Sequence, residues 1–135
     1  MGHLNWLAII IASLSAFVVG YFWYGPALFG KTWQRENGLS DETLKQSNMA
    51  QIYGSALGLT FMFCVLLSLN MITSDKSGMA DGIKHGIYIG AGFVGTSLGI
   101  NYLFARKSFR LFLIDAGYFV LTAAIMGAII GSWGY

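Results

Sequence analysis

The sequence predicts an all-α membrane protein, a bundle of four transmembrane helices with a short interfacial segment after the first. Two observations carry this expectation. Of the 135 residues, 56% are hydrophobic and 10% are charged, whereas an ordinary soluble domain carries roughly a quarter charged residues. The apolar residues also fall into long runs, at 4–24, 49–72, 83–104 and 109–133. Each run is long enough to cross a hydrocarbon core about 30 Å thick at about 1.5 Å per residue. Lipid supplies no partners for open backbone N–H and C=O groups, so a spanning segment must be a helix or a strand of a closed barrel. These runs are continuously apolar and lack the alternation of barrel strands. We read residues 1–135 as one four-helix transmembrane domain.

The first run follows Met1-Gly-His-Leu-Asn, which lacks the basic stretch of a signal peptide, and it exceeds the roughly 7 to 15 apolar residues such a peptide carries. It is expected to be a retained first span. It stops at Trp23-Tyr-Gly-Pro26, where aromatic rings suit the headgroup level and Gly-Pro breaks a helix. Residues 27–37 mix Leu28, Phe29 and Trp33 with Lys31, Arg35 and Glu36, a pattern that fits an amphipathic interfacial segment or an ordered polar loop. Ser40 then supplies a cap, with Asp41 and Glu42 at the positive helix end, so the second long helix is expected to begin near Asp41. A polar turn at 73–81 joins the second and third spans. The hairpin Arg106-Lys-Ser-Phe-Arg110 joins the third and fourth.

The charges lie between the apolar runs. The first and third loops hold Lys31, Arg35, Lys45, Arg106, Lys107 and Arg110, against Lys76 and Lys84 at the second. Positive loops stay cytoplasmic, so both termini are expected outside the cytoplasm, in a bacterial cytoplasmic (inner) membrane. A net charge of +2 without a basic patch argues against nucleic acid as a partner. The single cysteine, Cys64, permits no intrachain disulfide and reads as a buried spacer.

Glycine is abundant, at 18 residues, and small residues let membrane helices approach closely. Gly82, Gly86 and Gly90 recur every fourth residue on one face of the third span; at helical spacing Gly92, Gly95 and Gly99 form a second, roughly opposite face. Ala116, Ala123, Gly127 and Gly131 line the fourth span, and Gly54 and Gly58 the second. These positions are read as helix-packing surfaces within the chain, with room for another subunit.

The polar residues inside the spans are the candidate functional groups. Asp115 is the acid within an apolar run, about 7.5 Å deeper than Arg110 along a helix, and an intramembrane carboxylate is a functional-site candidate by default. Tyr118 and Thr122 follow on its face. This face reads either as the lining of a polar cavity or as a helix start at which Asp115 reaches Arg106 or Arg110. Asn101 lies at matching depth, with Gln51 at the start of the second span and Trp23, Tyr24 and Lys31 at the end of the first. These residues form one candidate polar cluster. His3 and His85, with Asn5 and Asn70, fall on the opposite side and read as interfacial side chains without a metal. We find no nucleophile-and-base pair, phosphate loop, haem motif or zinc signature, and expect no catalytic residue and no cofactor.

Two stretches carry a family resemblance. Phe17-Val-Val-Gly-Tyr-Phe-Trp-Tyr-Gly-Pro-Ala-Leu-Phe-Gly-Lys-Thr-Trp33, followed by Gly38-Leu-Ser, and the segment from Thr96 through Asn101, Tyr102 and Asp115 to Tyr118, resemble a small membrane family known as domain of unknown function 1761 (DUF1761). The resemblance implies a four-span protein with no established activity. It also implies a signature through Trp23, Tyr24, Phe29, Gly30, Lys31, Trp33, Asn101, Tyr102, Asp115, Gly117 and Tyr118. Where the family often has an acid before the arginine, this chain has Ala105.

Three functions are weighed on this basis. The leading expectation is a non-enzymatic membrane subunit or self-associating bundle, with the lipid bilayer and a second copy or other membrane subunits as partners. The alternative is a proton- or cation-coupled transporter or channel using Asp115. The third is a membrane enzyme acting on a lipid or quinone. The sequence names no small-molecule ligand.

Overall fold

Helix boundaries follow local capping chemistry in a computed structural model that describes residues 3–134; residues 1, 2 and 135 of the expected domain lie outside the described part. Helix α1 spans Trp6–Trp23, with the Asn5 carboxamide accepting from the Ala8 N–H at 3.1 Å. Within the segment read as interfacial or as a polar loop, the chain forms helix α2 (Gly30–Glu36). Helix α3 (Asp41–Gln46) is capped by Ser40 and ends at Ser47, whose ψ of 145° is extended. The second long helix therefore does not begin at Asp41: the chain restarts at Asn48, which caps Gln51 N–H, and α4 runs Met49–Thr73. The polar residues Ser47 and Asn48 satisfy helix ends better than they continue a helix.

The third span begins earlier than its apolar run, at Met79, because Gly78 supplies the positive φ of 89° that turns the chain into the helix. It comprises helix α5 (Met79–Ile87), a π-helical stretch (Tyr88–Gly95) and helix α6 (Thr96–Phe104). Helix α7 (Phe109–Trp133) closes the fold, capped by Ser108. Among the described residues, four helical segments are long and apolar enough to cross a membrane: Trp6–Trp23, Met49–Thr73, Met79–Phe104 and Phe109–Trp133.

Helix α7 is the hub. It packs against α1, α2, α4, α5, the π stretch and α6. The apolar core joins Ile9, Ala12 and Ala16 of α1, Cys64, Leu67 and Met71 of α4, and Met126 and Ile130 of α7. Cys64 is buried there. Helix α4 contributes to this core through its second half; it has no buried residue before Cys64.

Glycine decides the closest contacts. A Cβ on Gly82 or Gly127 would run into the other's carbonyl, one on Gly86 into the Ala123 carbonyl, and one on Gly131 into the Gly78 carbonyl. Helices α5 and α7 thus meet backbone to backbone, which small residues alone permit. The Gly78 N–H adds a hydrogen bond to the Gly131 carbonyl at 3.0 Å.

The third span does not present two opposite glycine faces. Gly90 and Gly95 would lie about 140° apart on an α-helix at about 100° per residue. On a π-helix, whose bonds join residues five apart, they are about one turn apart. Gly90 and Gly95 are both buried, and a Cβ on Gly99 would meet the Phe112 ring of α7 at 3.3 Å. The face of Gly82, Gly86 and Gly90 is therefore carried on through Gly95 and Gly99. Gly92 is left with nothing within 4 Å, as are Gly54 and Gly58 on α4.

A π stretch loosens the backbone ladder, and in lipid each freed carbonyl needs a partner. Two hydroxyls add bonds to carbonyls of this stretch: Thr96 donates to the Gly92 carbonyl at 2.6 Å and Ser97 to the Phe93 carbonyl at 2.6 Å.

Candidate functional site

The site begins with the tight turn after α1. The Phe29 N–H bonds the Trp23 carbonyl at 3.0 Å and the Gly30 N–H bonds the Gly25 carbonyl at 3.0 Å. A side chain on Gly25 would come within 2.6 Å of the Tyr21 carbonyl, and one on Gly30 would strike the carbonyls of Tyr24 and Gly25. Two glycines thus let the chain fold back at once, which sets the aromatic residues of α1 and α2 against one another. The Trp23 and Phe29 ring centroids lie 4.7 Å apart, and those of Tyr24 and Trp33 5.7 Å apart in an edge-to-face arrangement.

This aromatic corner rests on the start of α7. The Trp23 indole N–H donates to the Ile114 carbonyl at 2.9 Å, and the indole lies over Gly117, where a Cβ would come within 3.1 Å of it. The Tyr24 hydroxyl donates to Asp115 Oδ1 at 2.6 Å. From the end of the third span, the Tyr102 hydroxyl donates to Asp115 Oδ2. Asp115, 7% exposed, therefore has a phenol on each oxygen and ties three spans together. A carboxylate acceptor shortens and strengthens such bonds, and a buried acid needs partners of this kind to be tolerated.

Tyr118 completes the corner without joining the carboxylate. Its ring packs beside Tyr24 at 5.2 Å, and its hydroxyl donates to the Ala16 carbonyl of α1 at 2.9 Å. Thr122 donates back to the Tyr118 carbonyl at 2.9 Å and is buried. On this face Asp115 is thus held by Tyr24 and Tyr102, Tyr118 is bonded to α1, and Thr122 bonds back to its own helix.

The remaining candidates stand apart from this corner. Asn101 is exposed, and its neighbour Tyr102 takes the place beside Asp115. The Arg106 guanidinium donates to the Phe104 carbonyl at 2.5 Å, with a positive φ of 56° at Arg106 itself. Arg110 pairs with Glu36 at 3.9 Å, an exposed contact worth little by itself. Neither arginine reaches the acid. Lys31 and Gln51 are exposed. On the opposite side, His85 Nε2 meets Asn70 Oδ1, joining α5 to the end of α4, while His3 is exposed. Among the described residues, no group of three or more His, Cys, Asp or Glu is placed to hold a metal ion.

Sequence reasoning by depth selected Asn101 where the structure uses Tyr102. Depth alone does not fix the direction of a side chain; the helical phase does, and the π stretch changes it. The signal that pointed to Tyr102 was its place beside Asn101 in the family signature.

A family model described as a protein of unknown function (DUF1761) matches residues 7–131. No curated protein and no solved structure matches the chain. The matched segment takes in every long helix and the whole corner of Trp23, Tyr24, Tyr102, Asp115 and Tyr118. The chain, with its four helical segments long and apolar enough to cross a membrane, belongs to the DUF1761 family of proteins of unknown function.

Proposed function

We propose that the chain is a non-enzymatic membrane subunit that associates with a second copy of itself through the first half of α4. The observation that carries this reading is the state of Gly54 and Gly58. They recur at the spacing that seats α5 on α7, yet nothing lies within 4 Å of where their side chains would begin. Ala50, one turn earlier, is exposed as well. A small-residue stripe turned to lipid forfeits side-chain packing, and glycine also weakens a helix relative to alanine by about 1 kcal/mol. The same stripe against another helix would allow the close approach on which membrane association depends.

The engaged state of Asp115 supports a structural part for that residue. A proton- or cation-coupled carrier built on Asp115 is the rival reading, and it requires a carboxylate open to a passing ion. Both oxygens here already accept from phenols. We further assign the loops around α2 and the Arg106 hairpin to the cytoplasmic side of a bacterial inner membrane, on the excess of Lys and Arg there.

The test is the oligomeric state of the purified chain in native-lipid nanodiscs. A Gly58→Cys substitution in a Cys64→Ser background is expected to form a disulfide-linked dimer under mild oxidation, and Gly54→Leu to leave a folded monomer. A parent chain that stays monomeric, with no cross-link from the Gly58→Cys variant, would end the proposal.

A further inference from the structure

The π stretch leaves a second mark on the surface. Helix α6, which follows it, has no buried residue, while α7 beside it is buried along much of its length. Between them lies a groove made of two adjoining cavities that share Gly99, Leu103 and Phe112. From Ser108 to Val120 it runs about 18 Å along α7 at about 1.5 Å per residue, against the roughly 15 Å depth of one leaflet's hydrocarbon. Two of its lining residues, Gly95 and Gly99, have no side chain to fill it.

The chemistry of the groove is graded along its length. Its inner part is lined by Ala91, Gly95, Ala116 and Val120, and its outer end by Lys107 and Ser108. Lys107 Nζ donates to the uncharged Asn37 Oδ1 at 3.4 Å, and Arg106 to a backbone carbonyl. Of the acids at this end, Glu36 is paired with Arg110, Asp41 accepts from Gln34 and Asp115 from two tyrosines. Lys107 at the mouth, and Arg106 next to it in the chain, thus form no ion pair among the described residues.

We infer that this groove is a binding site for an anionic phospholipid, with the headgroup phosphate at Lys107 and one acyl chain lying along Gly95, Gly99 and Phe112. A groove one leaflet deep, apolar within and cationic at its mouth, complements that molecule in length, polarity and charge. Basic pockets between membrane helices bind anionic headgroups on this principle, each Lys or Arg contributing about a fivefold preference. The site does not depend on self-association through α4, which lies elsewhere on the molecule.

Native mass spectrometry of the full chain, titrated with phosphatidylglycerol and phosphatidylcholine of the same acyl chains, tests the assignment. The parent is expected to retain phosphatidylglycerol preferentially. Lys107→Gln lowers that preference about fivefold, and adding Arg106→Gln removes it. Lys45→Gln, an equal loss of charge on the exposed α3, leaves it unchanged. Phosphatidylglycerol with a photoreactive acyl chain, in vesicles with the unsubstituted chain, is expected to cross-link to Leu103 and Phe112. The inference is overturned by equal retention of the two lipids, by a preference that Lys45→Gln reduces as much as Lys107→Gln does, or by cross-links spread over α1 and α4. Exclusion of both lipids, as by a second copy seated in the groove, also overturns it.

Discussion

Asp115 shows how a membrane protein makes a buried carboxylate tolerable with neutral partners. Two arginines, Arg106 and Arg110, stand within ten residues before it in sequence, yet its oxygens take the hydroxyls of Tyr24 and Tyr102. A phenol donates a strong hydrogen bond without the cost of bringing a second charge out of water. Tyr24→Phe keeps the ring packing with Trp33 and Tyr118 and removes one bond. We expect it to cost about 1.5 kcal/mol, the meeting point of charge-assisted bonds generally and the weaker interhelical bonds of membranes. Denaturation in mild detergent, followed by near-ultraviolet circular dichroism, measures this; an unchanged midpoint would show the bond to be dispensable. In liposomes, Asp115→Asn is expected to match the parent at background ion flux. Flux in the parent that the substitution abolishes would restore the carrier reading. The importance of Asp115, Trp23 and Tyr24 was legible from depth and residue type. The identity of the second phenol was not, since it depends on helical phase.

At the scale of the element, that phase is set by the π stretch. Tyr88–Gly95 reads as ordinary apolar helix from sequence, because its residues carry no breaker stronger than glycine. What distinguishes it is the fit of its neighbours on α7. Gly82, Gly86 and Gly90 must sit on the α7 backbone, and the helix after the wide turn must bring Tyr102 within reach of Asp115. Glycines of similar appearance therefore have opposite sensitivities. Gly86→Ala drives a Cβ into the Ala123 carbonyl and should cost about 1–3 kcal/mol, as overpacking does. Gly92→Ala enters open space and should be neutral or stabilise by up to about 1 kcal/mol. Thermal unfolding of the two variants in one detergent checks the contrast, and equal effects would mean that the close contact of α5 with α7 is not retained there. The packing stripe itself was readable as a four-residue repeat; its continuation from Gly90 to Gly95 was hidden in a spacing of five.

For the whole molecule, the number of spans was written plainly in hydropathy, since each must bury its backbone bonds internally whatever its neighbours are. The arrangement around α7 was not, because helix neighbours depend on shape complementarity instead of apolarity. The molecule is also polarised. The aromatic corner, the Arg106 hairpin and α2 share one end, and the His85–Asn70 pair marks the other. Reporter fusions in the Arg106 hairpin are expected to report a cytoplasmic location, and fusions after Trp133 an external one; the reverse would invert the orientation.

The central place of α7 has a consequence for the order of assembly. Helix α7 leaves the ribosome after the other three spans, yet it is the one on which α1 and α5 principally pack. Until it arrives, α1 can meet α4 but α5 has little to pack on, the Gly82 stripe is turned to lipid and the two tyrosines await their acid. The packing of these four spans is therefore completed only once α7 has been made, and the chain before that point is the form most open to membrane proteases.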